Sequence, residues 1–197
     1  MEADELMKEI SKDSIFFFNS GGGVTLSGGE VLMQPDFTDE IIRRSKEMCI
    51  STALETCMYG SFDKLEKMFK YLDLIYADIK YIDCDKHKEL TGVGNEIILE
   101  NLRRTAAHPD APRLIIRMPV IPTVNDDDDN LRALARFCSE NKGIEKVQLL
   151  PYHRLGLHSY ELMNLEYPLK EIASPSEAFM AGKRAVIKAE APELEVI

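Results

Sequence analysis

The sequence predicts an α/β fold built on a parallel sheet, and three observations carry that prediction. Short β-rich apolar runs recur at Val24–Leu26, Ser51–Thr56, Leu74–Lys80, Leu114–Val120 and Lys146–Tyr152. Stretches with apolar residues at helical spacing lie between them, and strands alternating with helices argue for βαβ units. The runs LDLIYADI and RLIIRM are almost continuously apolar, as expected of strands buried on both faces.

The elements follow in order. The opening MEADELMKEISKD reads as a helix with no strand before it, so the first strand of the βα pattern is expected to be missing. Phe37, Ile41, Ile42 and Met48 form one helical stripe. Phe62, Leu65, Met68, Phe69 and Leu72 form a second, with Ser61 placed to cap it. Leu131, Leu134, Ala135 and Cys138 form a third after the acidic run Asp126–Asp129. That run lacks the Gly and terminal Glu of a calcium loop and reads as a capped, acid-biased helix start. Residues 174–197 read as a last helix near Glu177–Lys188 followed by a frayed end. Met7, Met48, Met68 and Met118 are expected to fill core gaps, Cys57 to be an inert small hydrophobe, and His87, His108 and His158 to lie on the surface.

Composition excludes several functions. With 197 residues the chain is the size of one domain, and 24 Lys and Arg against 34 Asp and Glu give a formal net charge of −10. A chain this acidic is a poor general binder of nucleic acid or anionic membrane. No apolar run approaches the ~18 residues of a membrane-spanning helix. The four cysteines, Cys49, Cys57, Cys84 and Cys138, lie far apart, as suits a reducing cytoplasm better than a disulfide scaffold.

Polar residues gather where each strand should end. Ser27, Gly28, Gly29 and Glu30 close the first, Glu55 and Thr56 the second, Asp78 and Lys80 the third, and Pro151-Tyr152-His153 the fifth, while Arg117 sits inside the fourth. In parallel α/β folds the carboxyl ends of the strands converge on one rim, which carries the site. A buried unpaired charge costs several kcal/mol, so charges inside apolar strands need a purpose. In SGGGVTLSGGE, LSGGE resembles the signature loop of ABC-type ATPases, but no G-x-x-x-x-G-K-[ST] accompanies it. The alternative is a Gly-Gly-Glu that takes an amino acid's ammonium group through backbone carbonyls and a carboxylate.

SGGGVTLSGGEVLMQPDF resembles the Gly-Gly-Glu region of the glycyl-radical-enzyme activating enzymes of the radical S-adenosylmethionine (SAM) superfamily, of which pyruvate formate-lyase activating enzyme is the best-known type. The likeness continues through ALETCMYGSF, LDLIYADIKYID, HKELTGVGNEIILENL, IIRMPVIPTVNDDDDN and VQLLPYHRLGLHSY, covering roughly Glu5 to Pro168. The resemblance implies a partial parallel (β/α) barrel of radical SAM type over residues 1–197, truncated at its N-terminus with about five strands present. It implies that Gly28, Gly29 and Glu30 hold the SAM amino group, and that Asp78, Ile79 and Lys80 form the Asp-x-Lys segment near the ribose and carboxylate. By the same likeness His153 lies against the nucleoside and Arg117 lines the cavity, while Glu55, Thr56 and Asp78 form a monovalent cation site.

It further implies a cytoplasmic activase that reductively cleaves SAM at a 4Fe-4S cluster, and whose deoxyadenosyl radical takes hydrogen from a glycine of a partner glycyl radical enzyme. That partner is by default pyruvate formate-lyase, with a diol dehydratase or a decarboxylase equally compatible, and flavodoxin or ferredoxin is the electron donor. The family's C-x-x-x-C-x-x-C is absent, and Val31 stands where proline is usual. The chain is therefore read as an inactive fragment starting after the cluster loop, the cluster belonging to the full-length protein only. The alternative is a non-catalytic SAM- or peptide-binding module; a Rossmann-type methyltransferase is disfavoured because G-x-G-x-x-G is missing. A missing first strand would leave Val24–Leu26 as an open edge, either self-associating or masked by Leu6 and Ile10 of the opening helix.

Overall fold

The computed structural model describes residues 2–197. Its sheet has six strands, β1 (Gly23–Leu26), β2 (Ser51–Thr56), β3 (Leu74–Asp78), β4 (Arg113–Val120), β5 (Ile144–Pro151) and β6 (Glu195–Val196). They stand side by side in chain order and every neighbouring pair is parallel. Because β1 and β6 each pair on one side only, the sheet is an open partial barrel. The helices are α1 (Ala3–Lys12), α2 (Ser14–Ser20), α3 (Pro35–Glu47), α4 (Phe62–Met68), α5 (Cys84–Thr91), α6 (Glu96–Ala107), α7 (Asp128–Glu140), α8 (Leu157–Leu162) and α9 (Glu177–Glu190).

Side chains alternate across each strand. Leu54, Ile75, Ala77, Ile116, Met118 and Val147 lie on the side packed by Ile42 of α3, Leu65 of α4, Leu102 of α6 and Leu134 of α7. Each large side chain buried there contributes about 1.5–3 kcal/mol. The other face carries Ala53, Glu55, Leu74, Tyr76, Asp78 and Arg117, all only partly buried. The helical stripes at Phe62–Leu72 and Leu131–Cys138 are buried throughout, and Asp127 caps α7 by accepting from Asn130 N at 2.9 Å. Ser61 does occupy the N-cap position of α4, yet its hydroxyl makes no capping bond.

Several expectations need correction. The sheet has six strands rather than five: the tail does not fray, because Glu195 and Val196 pair with Lys146 and Val147 of β5. LDLIYADI is buried mainly on one face: in β3, Ile75 and Ala77 are buried while Leu74, Tyr76 and Asp78 are only partly so. Met48 ends α3 and is 38% exposed, whereas Met7, Met68 and Met118 are buried. His87 is not a surface residue; it is 3% exposed, and its Nδ1 lies 2.9 Å from the Val93 carbonyl, tying down the turn after α5. The opening helix turns Met7, rather than Leu6 or Ile10, inward onto Ser45 of α3. SIFFFNS forms α2 with Ile15, Phe16 and Phe18 exposed.

Candidate functional site

The glycine loop leaves β1 with Gly28 at φ 100° and Gly29 at φ 56°, a left-handed pair that side chains resist. No atom lies within 4 Å of where a Cβ would stand on either, so the loop backbone faces open space. Glu30 then turns inward. Its Oε1 accepts from Leu32 N at 2.9 Å and from the Thr56 hydroxyl at 2.6 Å, while Oε2 accepts from Cys57 N at 2.7 Å. Glu30 therefore staples the β1 loop to the β2 loop and retains a free lone pair on Oε2. Gly60 makes the close approach possible, because a Cβ there would meet Leu32 Cβ at 2.7 Å.

Beside this loop lies a chain of charges across three strands. Arg117 of β4 donates from Nε to Asp78 Oδ1 at 3.0 Å and from Nη1 to Glu55 Oε1 at 2.8 Å. The remaining oxygens are also engaged: Ser27 Oγ donates to Glu55 Oε2 at 2.8 Å and Lys80 Nζ to Asp78 Oδ2 at 2.8 Å. The register explains the assembly, since Arg117 stands directly opposite Asp78, and Tyr76, opposite Glu55, lies 5.0 Å beneath the guanidinium. The Arg117 hydrogen bond holds the Glu55 carboxyl below its ordinary range. Burial works to lower the Arg117 pKa, but Glu55 and Asp78 more than offset it and raise it.

The predicted residues do not all converge. Ile79 is 1% exposed, so it offers the rim its backbone and not its side chain. His153 is exposed beyond β5, and its ring accepts only a weak 3.4 Å bond from Leu155 N. Thr56, successor to Glu55 on a strand, points to the opposite face, where its hydroxyl serves Glu30 and accepts from Met58 N at 2.9 Å. Glu55, Thr56 and Asp78 thus do not meet as side chains.

Sequence reasoning passed over what fixes the loops that frame this rim. Four asparagines at most 3% exposed spend their amides on loop backbone. Asn125 donates to Lys80 O at 3.0 Å and Pro119 O at 2.7 Å and accepts from Ile121 N at 2.8 Å. Asn130 reaches Asn125 O and Ile82 N, Asn95 reaches Tyr81 O and Ile82 O, and Asn101 reaches Met58 O and Gly60 O. The signal was present in NEIILEN and VNDDDDN, where amides flank helix starts.

The open glycine backbone and the free lone pair of Glu30 fit an ammonium-bearing ligand. An iron–sulfur cluster does not fit the side chains present. Cys138 is buried in the core, burial pushes its thiol up to about 12, and burial followed by Glu30 raises Cys57 to about 11. Among the described residues no group of three or more His, Cys, Asp or Glu is placed to hold a metal ion.

Fold and rim together define an open parallel α/β barrel with a cluster of polar side chains at the carboxyl ends of its strands. Comparison with known proteins gives the same answer: residues 1–135 match the radical SAM superfamily. The isethionate sulfite-lyase activating enzyme of Oleidesulfovibrio alaskensis is 40% identical over 187 residues, 95% of this chain and 60% of that protein. The pyruvate formate-lyase-activating enzyme of Clostridium pasteurianum is 41% identical over 172 residues, 87% of this chain and 71% of that protein. A crystal structure of a domain of pyruvate-formate lyase-activating enzyme from Bacteroides vulgatus superposes with a TM-score of 0.72 at 29% identity, covering 89% of this chain and 98% of that one. The chain belongs to the radical SAM superfamily, in its branch of glycyl-radical-enzyme activating enzymes. It spans 60% of the length of the O. alaskensis relative.

Proposed function

We propose that the chain is the SAM-holding part of a glycyl-radical-enzyme activating enzyme, inactive by itself, whose partner is by default pyruvate formate-lyase, with a diol dehydratase or a decarboxylase equally compatible. The observation that carries the reading is the juxtaposition of the open Gly28–Gly29 backbone and Glu30 with the Asp78–Lys80 pair on one rim. Backbone carbonyls and Glu30 Oε2 take the ligand's ammonium group, and Lys80 and Asp78 face its carboxylate and ribose hydroxyls, with Arg117 holding Asp78 in place. His153 is assigned to the nucleoside and Ile79 to a backbone contact. When bound, SAM supplies a source of radical chemistry on a backbone glycine; the side chains of this chain bind and orient it. The C. pasteurianum relative and the B. vulgatus domain support the choice of partner. Flavodoxin or ferredoxin as donor, a 4Fe-4S cluster held by the whole protein only, and a cytoplasmic location belong to the same proposal. Among the described residues no helix is long and apolar enough to cross a membrane.

Calorimetric titration with SAM tests the reading. High-micromolar affinity is expected, because contacts from a cluster are lacking and each 1.4 kcal/mol lost is tenfold. Gly29→Val and Asp78→Ala should each weaken it further. Sub-micromolar binding, or binding untouched by both substitutions, overturns the assignment.

A further inference from the structure

Glu55 and Asp78 share one guanidinium where family likeness anticipates a monovalent cation. We propose that Arg117 is this rim's built-in cation, so that the site takes neither K+ nor Na+ and its ligand binding is indifferent to which of them is present. Each of the four carboxylate oxygens of Glu55 and Asp78 already accepts one hydrogen bond, two from Arg117, one from Ser27 and one from Lys80, so a cation there would compete with a fixed positive charge. The formal charges of Glu55, Asp78, Arg117 and Lys80 cancel, so these two carboxylates carry no unbalanced charge of their own to recruit an ion. The hydroxyl of Thr56, the third expected ligand, is turned away, donating to Glu30 and accepting from Met58 N. Arg117 is also a built element rather than a stray surface arginine: its side chain is 15% exposed, in register with Asp78 and stacked over Tyr76.

Glutamate at position 55 is part of the device. Its carboxylate stands one methylene farther out than an aspartate's, and it reaches Arg117 from a strand that is not adjacent to β4. A fixed guanidinium differs from an ion in one functional respect: it cannot be diluted away. Arg117 is thus a positioning residue for Asp78 and Glu55.

The test compares thermal unfolding of the intact chain in KCl, NaCl and choline chloride at an ionic strength of about 0.15 M. The wild-type chain is expected to unfold at one temperature in all three salts. Arg117→Met, which bares both carboxylates, should unfold about 2–4 °C higher in KCl or NaCl than in choline chloride, because an ion bound only to the folded state stabilises it. Glu55→Asp, which withdraws the carboxylate from Arg117, keeps the test open if Arg117→Met does not fold, and is expected to gain a smaller shift of the same sign. A K+- or Na+-specific rise in the wild type overturns the proposal, and so does its absence in the folded variants. The functional consequence rests on the SAM reading and has its own arm, in which SAM affinity should be equal in KCl and choline chloride. A chain that binds no SAM at all refutes that reading while leaving the salt comparison to decide the role of Arg117.

Discussion

Glu55 is the residue whose protonation the structure constrains most directly. Its pKa lies below the ordinary 4.5, chiefly because Arg117 donates to it, so the contribution is present above the unfolded value and is lost as pH falls through the folded one. The unfolding temperatures of the wild-type chain and Glu55→Gln should therefore differ most near pH 6–7 and approach each other below about pH 4.5. A gap that stays constant down to pH 4 would remove the ion pair from the account. At this scale the sequence was informative about which residues matter and less so about their partners. Glu55, Asp78 and Arg117 stand out because charges inside apolar strands need a reason. Thr56 was misplaced with them because nearness in sequence hides the strict alternation of faces along a strand. Ser27 and Tyr76 were unassigned because a hydroxyl beyond a strand and an aromatic within one are unremarkable until register is known.

Between elements, the loops at the carboxyl rim are joined by amides rather than by apolar packing. Asn125 satisfies two carbonyls and one N–H from the β3 and β4 loops. Truncation to alanine would leave three partly buried polar groups without their amide partner, at up to about 1–3 kcal/mol for an orphan that water cannot reach. Asn125→Ala is expected to cost about 2–4 kcal/mol, read from denaturant midpoints at unchanged m-value. A loss under ~0.5 kcal/mol, no more than that of a typical surface substitution, would show that the amide is dispensable. Strands β2 to β5 and helices α4 and α7 were readable from apolar spacing, because a continuous core face imposes it. Neither α2 nor β6 was readable: the first is apolar on exposed and half-buried sides alike, and the second is two residues long, too short for any period to show.

For the molecule as a whole, the open side of the sheet governs behaviour in solution. From Ser14 to Gly29 the chain carries no charged residue, and this stretch contains both β1 and the exposed Ile15, Phe16 and Phe18 of α2. Strand edges without Lys or Pro invite pairing with another chain. Sedimentation should show association rising with concentration, and Thr25→Lys should reduce it. Slow hydrogen exchange at Val24–Leu26 in the associated species would place the contact at β1. A chain that stays monomeric at high concentration would refute the contact. The strand order has a separate, temporal consequence. Because each strand lies next to the one synthesised before it, every pairing closes over a single crossover, and no strand waits for the far end of the chain. Such local connectivity favours early, stepwise assembly. A nascent chain leaving the ribosome can lay down its sheet one strand at a time, so protection from protease should grow in increments from the amino end instead of arriving at once when Val196 is made.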